Sequence, residues 1–460
     1  MPCRLPGSAA ARGVSFSLSK PYRPTAIAAA PLRPAVGARR GAALVVAFRG
    51  AVRRPGRSFA PDQLHVERAL GSGSYGEVFK GQLDVHGTAQ PVVLKRVKSR
   101  VQDGEEMGEM EVLMNVHAAK SAARAVAPYL GFCDVPAGAA APGGLSPGLW
   151  LLWRYEGCKT LASYLGRRDG LRALASDLGV PEALVVPVAL RQVLSNLAVL
   201  HASGLIHRDV KPLNLVVAEN DRRLKLIDLG SCADLRSGVN FHPQEYILDP
   251  MYAPPEQYVL PTDSPHLARS LLGQAMSPLL WARHQPDRFD SWSAGVVLLC
   301  LALPHLRTDA GLSRFLSEFE AAQYDLDAWR ARCKWVAPRD FAPLDADGGA
   351  GWEVARGLLR PRNIRVAPDG HVAFLAGGGA RWPARLSAAE ALRQRFFKLA
   401  AQRERAYRAG GDAALAAALG QAAAPAGAAA APAAGKERPA RGGGTGGVAS
   451  AERKPSLAAR

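Results

Sequence analysis

The first 60 residues contain no aspartate or glutamate, although they carry eleven arginines and lysines. This segment therefore contributes +11 of the formal net charge of +18. The rest of the chain is only mildly basic and has no stripe of Arg and Lys with interleaved aromatics, which argues against a nucleic-acid partner. An acid-free segment rich in Arg, Ala and Ser is typical of an organelle transit peptide, with a retained basic arm as the alternative. We expect the transit peptide to cover residues 1–47, with an approximate end, and residues 48–60 to form a linker. Composition does not choose between chloroplast and mitochondrion.

Long apolar runs are also scarce. The longest candidates, Gly41–Phe48 and Ala294–Leu303, fall short of the ~20 residues that span a bilayer, so we expect any membrane association to be peripheral rather than transmembrane.

The six cysteines show no C-x-x-C spacing, which argues against a zinc site and against a disulfide framework. They are expected to be ordinary reduced thiols. For Cys232, a redox-sensitive thiol is the alternative to a passive small residue.

The pattern of apolar residues changes along the chain. Between about Phe59 and Leu94, apolar and polar residues alternate with glycines between the runs, which predicts β-strands. Glu105–Lys120 has a helical pattern, and Val186–Ser203 carries apolar residues at helical spacing until a glycine stops it. A strand-rich part followed by a helix-rich part predicts an α+β domain of two lobes with a cleft between them.

Composition also sets the limits of this domain. We place it at residues 61–400, with a Pro-, Ala- and Gly-rich insertion at 136–148 between two strands. From residue 401 the chain becomes low in complexity and rich in Ala, Gly and Pro. Residues 401–460 are therefore predicted to be a disordered tail.

A glycine-rich motif stands near the start of the domain. The run Gly71-Ser72-Gly73-Ser74-Tyr75-Gly76 could open a dinucleotide-binding helix, but Val78 and its neighbours continue as a strand. A glycine-rich turn between two strands suits a lid over nucleotide phosphates, because backbone N–H groups can approach the phosphate oxygens.

Lys95 ends the next apolar strand and needs an anionic partner. We predict Glu109 as that partner, with Glu105 as the alternative.

Two motifs with polar residues at close spacing follow. The first is His207-Arg208-Asp209-Val210-Lys211-Pro212-Leu213-Asn214, and the second is Leu226-Ile227-Asp228-Leu229-Gly230. Asp228 follows a hydrophobic strand and offers the hard oxygen ligand that Mg²⁺ requires.

Three more motifs have a structural character. They are Pro254-Pro255-Glu256, the run Asp290-Ser291-Trp292-Ser293-Ala294-Gly295, and Arg385-Leu386-Ser387. These motifs resemble those of protein kinases, and the resemblance implies that Asp290 caps a buried helix and binds the backbone near Asp209, and that Arg385 forms a buried ion pair with Glu256. Such a pair specifies geometry more than it adds stability.

Together these motifs span about residues 64–400 and resemble those of the eukaryotic protein-kinase superfamily. The resemblance implies the bilobal protein-kinase fold, with a small β-rich N-lobe and a larger helical C-lobe, and the use of ATP and Mg²⁺. It assigns Asp209 to orient the acceptor hydroxyl and take its proton, Lys211 to neutralise the γ-phosphate, and Asn214 and Asp228 to hold Mg²⁺. A lysine at position 211 is typical of Ser/Thr kinases. The implied ATP-binding residues are Leu70, Gly71, Ser72, Gly73, Ser74, Tyr75, Gly76, Val78, Lys95 and Glu109.

Two longer stretches, Asp234–Tyr258 and Pro286–Asp290, resemble the chloroplast thylakoid kinases of the state-transition family, and most of all its branch that phosphorylates photosystem II core proteins. This resemblance implies a plastidic transit peptide and protein substrates at the stromal surface of the thylakoid membrane, or a stromal enzyme. The same chemistry on light-harvesting antenna proteins is one alternative. A catalytically inactive pseudokinase scaffold is another.

The sequence departs from the family pattern at several points. Family members often carry an N-terminal transmembrane segment, which is not found here. The activation segment Asp228–Glu256 contains no threonine, and Asp249 stands where most Ser/Thr kinases have one. We hypothesise that Asp249 and Glu245 supply fixed negative charge near Arg208 in place of a phosphate. The long stretch 257–288 is either a substrate-docking insertion or a passive loop.

Overall fold

A computed structural model describes the chain from residue 54 to residue 423, with gaps. The described residues are 54–73, 76–99, 104–138, 142–235, 249–262, 264, 271–367, 371–375 and 384–423. The predicted transit peptide and the residues after 423 lie outside them.

The N-terminal lobe is built on one antiparallel sheet of five strands in the order β1-β2-β3-β5-β4. Its elements are β1 (Leu64–Ser72), β2 (Gly76–Val85), β3 (Thr88–Val97), β4 (Tyr129–Val135), β5 (Gly148–Arg154) and one long helix, α1 (Gly104–Ser121). The alternation seen in the sequence places Val92 and Leu94 in the core of the sheet, where they pack with Trp150 and Leu152. The predicted strand and helix patterns are confirmed here.

The segment that precedes the sheet is part of the lobe. The N–H of Phe59 donates to the carbonyl of Phe132 on β4 (2.8 Å), and the N–H of Phe132 donates to the carbonyl of Arg57 (2.9 Å). The Phe59 side chain is buried in the core of the sheet. The prediction of a linker over 48–60 is therefore wrong for these residues, because the edge strand β4 offers backbone groups that the segment satisfies.

The C-terminal lobe is helical. Its helices are α2 (Leu161–Leu165), α3 (Gly170–Leu178), α4 (Val185–Ala202), α5 (Leu271–His284), α6 (Arg288–Ala302), α7 (Asp309–Ala321), α8 (Leu326–Arg332), α9 (Ala342–Leu358, with a break inside it), α10 (Ala388–Ala391) and α11 (Arg395–Ala423, also broken). Three short two-stranded antiparallel pairs accompany them: β6 (Leu205–Ile206) with β9 (Ala233–Asp234), β7 (Leu215–Ala218) with β8 (Arg223–Leu226), and β10 (Ile364–Val366) with β11 (Val372–Phe374). The predicted bilobal α+β architecture is confirmed.

Two apolar helices form the centre of this lobe. Every residue of α6 is buried, and α4 packs its apolar residues against it in the same core. Among the described residues, one helical stretch, Glu182–Ala202, is long and apolar enough to cross a membrane, and 61% of its most apolar window is buried inside the lobe. Burial on that scale is what the core helix of a globular lobe shows.

The end of the described chain is ordered, which corrects the prediction of a disordered tail from residue 401. Residues 401–423 continue α11, which turns sharply at Gly411 (φ 63°). Alanine, the main component of this stretch, is the strongest helix former. Leu415 is buried against Leu184 and Val188, and Glu404 pairs with Arg191 of α4. The apolar anchor and the ion pair supply the packing that low complexity alone did not predict.

The long stretch 257–288 contains helix α5. The buried residue Leu280 of α5 packs with Val259, Leu260 and Phe289 beneath it. The stretch is therefore more than an extended loop, although its predicted role in substrate docking stays a prediction.

Candidate active site

The glycine-rich turn joins β1 to β2 above Lys95. Its N–H groups include that of Gly73, which donates to the carbonyl of Gly76 at 2.8 Å and closes the turn. A Cβ on Gly76 would lie 2.7 Å from Cε of Lys95, so a side chain there would displace Lys95 from its present position. The Nζ of Lys98 donates to Ser72 Oγ (2.9 Å) and to the Gly73 carbonyl (2.7 Å). Of the predicted ATP-binding residues, Ser74 and Tyr75 lie outside the described part of the chain.

Lys95 lies at the centre of a charge triad. Its register partners are Val78 on β2 and Leu151 on β5. The Nζ of Lys95 lies 2.8 Å from Glu111 Oε2 and 2.9 Å from Asp228 Oδ1. The lysine therefore joins α1 of the N-lobe to the segment after β8 of the C-lobe.

The partner of Lys95 is Glu111, and the predicted assignment to Glu109 is wrong, as is the alternative Glu105. Glu109 points away from the cleft and pairs with Arg54. Met110, Leu113 and Val116, which lie on the same side of the helix as Glu109, are only partly buried. The buried stripe of α1 is a different one and consists of Gly104, Gly108, Glu111, Val112, Met114, Asn115 and Ala118. A glutamate within that stripe was the signal that could have identified Glu111.

The triad shifts the pKa values of its members. Burial lowers the pKa of Lys95, but the carboxylates of Glu111 and Asp228 outweigh it and raise that pKa above the usual value. Burial raises the pKa of Glu111 to about 7. The ammonium of Lys95 lowers the pKa of Asp228. Lys95 and Asp228 are therefore charged at neutral pH.

A second hydrogen-bonded set holds α1 against the sheet. The indole N–H of Trp153 on β5 donates to Asn115 Oδ1 at 3.0 Å, and the Nδ2 of Asn115 donates to the carbonyl of Glu111 at 2.8 Å. The Trp153 and Asn115 side chains are buried. Sequence reasoning did not identify this set, because it joins residues that are far apart in the chain and carry no motif.

The segment 207–214 forms the floor of the cleft. The Nδ2 of Asn214 donates to Oδ2 of Asp209 (2.7 Å) and to its carbonyl (2.9 Å), and the Nζ of Lys211 lies 3.0 Å from Asp209 Oδ1. Burial opposes the charge of Lys211, but Asp209 and Asp249 raise its pKa. Asp209, Lys211 and Asn214 are thus brought together as the sequence predicted.

The hairpin β7–β8 brings Asn214 beside Asp228. Leu215 pairs with Leu226 in the hairpin register, and the N–H of Ile227 donates to the carbonyl of Asn214 at 3.0 Å. Asp228 adopts a left-handed backbone (φ 62°), which is uncommon outside glycine and often marks functional sites. Its side chain is 45% exposed to the cleft.

The donor set fits Mg²⁺. The nitrogen of the Asn214 carboxamide is used toward Asp209, so its carbonyl oxygen is the atom that can face a cation. That oxygen and the Asp228 carboxylate are hard ligands, which Mg²⁺ prefers. Among the described residues no three His, Cys, Asp or Glu side chains form a metal cage. Mg²⁺ commonly takes one or two protein ligands together with substrate phosphates, and Asn214 and Asp228 would be those ligands.

Asp290 supports this floor from below. Its Oδ2 accepts the N–H of His207 (2.8 Å), its Oδ1 accepts the N–H of Arg208 (2.8 Å), and His201 Nε2 lies 2.8 Å from Oδ2. The side chain is fully buried. The predicted contact with the loop backbone is confirmed, whereas the predicted helix cap is wrong, because α6 begins before Asp290 with Asp287 at its N-cap position.

The predicted pair of Glu256 and Arg385 is confirmed. Nη1 and Nη2 of Arg385 donate to the two oxygens of Glu256 at 2.7 and 2.9 Å, and both side chains are almost completely buried. Arg385 also donates to the carbonyls of Arg288 and Arg360. The pair fixes the end of the activation segment to the helical lobe.

The negative charge of Asp249 lies beside Lys211. The Nζ of Lys211 is 3.2 Å from Asp249 Oδ2, and the Nε of Arg208 donates to the carbonyl of Ser231 at 2.6 Å. The structure thus gives Asp249 a catalytic-loop partner other than the hypothesised Arg208. Glu245 lies outside the described residues, so its part of the hypothesis stays a prediction.

Cys232 is buried, and desolvation raises the pKa of its thiol well above the usual value. A thiol of that kind is poorly reactive, because the thiolate is the reactive form. This supports the interpretation of Cys232 as a passive small residue. None of the cysteines in the described part of the chain belongs to a disulfide.

A glycine-rich lid, a buried lysine with two carboxylates and an Asp-Lys-Asn floor define a phosphoryl-transfer site of the protein-kinase type. The chain belongs to the protein kinase family: the model of the protein kinase domain matches residues 64–323. It is an ATP-dependent Ser/Thr protein kinase.

Its relatives narrow the family further. The chain is 36% identical over 374 residues to the serine/threonine-protein kinase STN8, chloroplastic, of Arabidopsis thaliana, which covers 74% of this chain and 71% of the relative. It is 37% identical over 336 residues to the serine/threonine-protein kinase STN7, chloroplastic, of the same plant, covering 69% of this chain and 57% of the relative. The crystal structure of a Stt7 homologue from Micromonas, soaked with ATP, has 36% identity and a TM-score of 0.61 over 75% of this chain and 95% of that one.

Proposed function

We propose that the kinase phosphorylates Ser or Thr residues of thylakoid proteins in the chloroplast, with photosystem II core subunits as its main substrates. The observation that carries the kinase part is the Lys95–Glu111–Asp228 triad facing Asp209 and Lys211. The substrate part is supported by the chloroplastic relatives STN8 and STN7 and by the resemblance of residues 234–258 to the thylakoid kinases.

Each side chain of the site has a role in this proposal. Asp209 orients the acceptor hydroxyl and accepts its proton, because its carboxylate is held by Asn214 and lies at the floor of the cleft. Lys211 places a positive charge beside Asp209, where negative charge is transferred. Lys95 binds the α- and β-phosphates while Glu111 holds it in position. Bound ATP with Mg²⁺ supplies the phosphoryl group and a cation that neutralises its charge.

The peripheral membrane association also belongs to this proposal. The described residues include a single candidate spanning helix, and that helix forms the core of the C-lobe. A kinase domain of this kind reaches its substrates from the stromal surface. The predicted transit peptide accounts for entry into the plastid.

The test combines two measurements. Purified protein and its Asp209→Asn variant are incubated with isolated dephosphorylated thylakoids, ATP and Mg²⁺, and phosphosites are mapped by mass spectrometry. We expect phosphate on Ser and Thr of photosystem II core subunits with the unchanged protein and none with Asp209→Asn. The same sites should lose phosphate in plastids that lack the protein. Phosphate confined to antenna subunits would overturn the substrate assignment, and no transfer to any protein would favour a scaffold.

A further inference from the structure

The segment before the sheet contacts α1 on the side opposite the cleft. The Nε of Arg54 donates to both carboxylate oxygens of Glu109, at 2.7 and 2.8 Å, and its Nη2 lies 2.6 Å from Oε1. Its Nη1 pairs with Asp134 at the end of β4. The hydrogen bond to Glu109 raises the pKa of Arg54, so the guanidinium is charged. Arg54 therefore joins α1 to the edge of the sheet.

Glu109 and Glu111 are two residues apart on one helix, which separates them by about 200° around its axis. Glu111 faces the cleft and binds Lys95, and Glu109 faces outward and binds Arg54. Any rotation of α1 that carries Glu111 away from Lys95 must also move Glu109 away from Arg54. The two ion pairs hold the same rotation of the helix from opposite sides.

Two glycines allow the segment that carries Arg54 to pack closely, one on the neighbouring strand β4 and one within the segment itself. Gly131 of β4 has a φ of +149°, and a Cβ on it would lie 2.1 Å from the carbonyl oxygen of Arg57. Gly56 has a φ of +106°, and a Cβ on it would lie 3.0 Å from Val116 of α1. A side chain at either place would lift the segment away. The close fit lets Phe59 enter the core and sets Arg54 beside Glu109.

We propose that Arg54 is a positioning residue for phosphoryl transfer: it holds Glu109 and thereby fixes the rotation of α1 that brings Glu111 to Lys95. The set of Trp153 and Asn115 holds the same helix one turn further along. The proposal rests on kinase activity and is independent of which thylakoid protein is the substrate.

The pair is partly exposed, with 30% of the Arg54 side chain and 27% of the Glu109 side chain accessible. Ion pairs of this exposure make modest contributions, so we expect Arg54→Gln and Glu109→Gln each to lower kcat/KM by about three- to tenfold. Because both variants remove the Arg54–Glu109 pair, the double variant should be no slower than Arg54→Gln alone.

The assay measures phosphate transfer to casein by the purified chain at several ATP concentrations. Because casein is not a thylakoid protein, the result does not depend on whether the proposed thylakoid substrates are correct. Arg57→Gln is the matched control. Its guanidinium stacks on Phe59 at 4.6 Å from the ring centroid and lies in the same segment, outside the active site. We expect Arg57→Gln to keep kcat/KM, and all variants to keep the same melting temperature within about 2 °C.

The decisive comparison uses Glu111→Gln as background. If Arg54 acts through Glu111, adding Arg54→Gln to Glu111→Gln produces no further loss. The same three- to tenfold loss in both backgrounds would overturn the proposal. So would unchanged activity of Arg54→Gln alone, or an equal loss in Arg57→Gln.

Discussion

Replacing Asp290 with asparagine should destabilise and slow the enzyme together. Its fully buried carboxylate accepts the N–H groups of His207 and Arg208 and contacts His201, at 2.8 Å each. Asparagine keeps the shape but replaces one accepting oxygen with an NH₂ donor, so at least one of these three groups loses its acceptor. Buried hydrogen bonds to charged groups contribute ~1.5–3 kcal/mol each, and the orphaned donor adds to the loss. We expect the free energy of unfolding to fall by about 3–5 kcal/mol.

The catalytic consequence follows from geometry, because the two donors are the residues just before Asp209. A displacement of ~1 Å at a catalytic group can cost about 10²-fold in rate, so kcat should fall by a factor of that order. The measurements are urea unfolding by circular dichroism and phosphate transfer to casein. Asp325→Asn is the control, since Asp325 is the N-cap of α8, where asparagine serves equally well. An Asp290→Asn protein with an unchanged urea midpoint would refute the reasoning.

The protonation of Asp290 provides an independent check of the same prediction. Burial alone would raise its pKa, but the hydrogen bond and charge of His201 and the amide of His207 lower it below the usual value. The carboxylate therefore contributes stability that is present above the unfolded pKa of about 4 and is lost as pH falls through the lower folded value. Asp290→Asn should lack this acid-side loss, which urea titrations at several pH values would measure.

Three further predictions concern Glu111, the buried pair of Glu256 and Arg385, and the Mg²⁺ ligand Asp228. Because the pKa of Glu111 is about 7, kcat/KM should fall as pH decreases through neutrality, and Glu111→Gln should be slow and lack this acid limb in a pH–rate profile. Arg385→Met leaves Glu256 buried without its partner and should lower the unfolding free energy by about 3–5 kcal/mol, whereas adding Glu256→Leu should restore most of it in urea titrations. Removing Mg²⁺ with EDTA should abolish phosphate transfer to casein. In a Mg²⁺ titration, Asp228→Asn should raise the Mg²⁺ concentration that gives the half-maximal rate. An unchanged Mg²⁺ requirement in this variant would contradict the assignment of Asp228 as a ligand.

Sequence reasoning succeeded where chemistry restricts the residue type over a short span. Asp209, Lys211 and Asn214 lie within six residues of chain, so local backbone geometry brings them together whatever the rest of the lobe does. The pair of Glu256 and Arg385 was predicted across a long separation, because each residue belongs to a recognisable motif and a buried charge needs a partner.

Sequence reasoning failed where several residues of one type could fill the same role. Glu105, Glu106, Glu109 and Glu111 all lie on α1, and the choice among them depends on the rotation of the helix. That rotation is set by Val112 and Asn115 packing against the sheet and by Arg54 outside it, which are tertiary contacts.

The helix at 401–423 was missed for a similar reason. Alanine-rich sequence has high helix propensity, but whether it forms a helix depends on an anchor such as Leu415.

The tryptophan at position 153 has a consequence for small molecules. It lies two residues along β5 from Leu151, the register partner of Lys95, and its indole fills the space between the sheet and α1 while hydrogen-bonded to Asn115. The indole therefore occupies the space behind Leu151, on the face of the sheet that carries Lys95. Inhibitors that compete with ATP must bind in front of it, and compounds whose selectivity depends on a substituent reaching behind β5 would find that space occupied. Trp153→Ala would open this space, so that bulky purine analogues would bind the variant selectively.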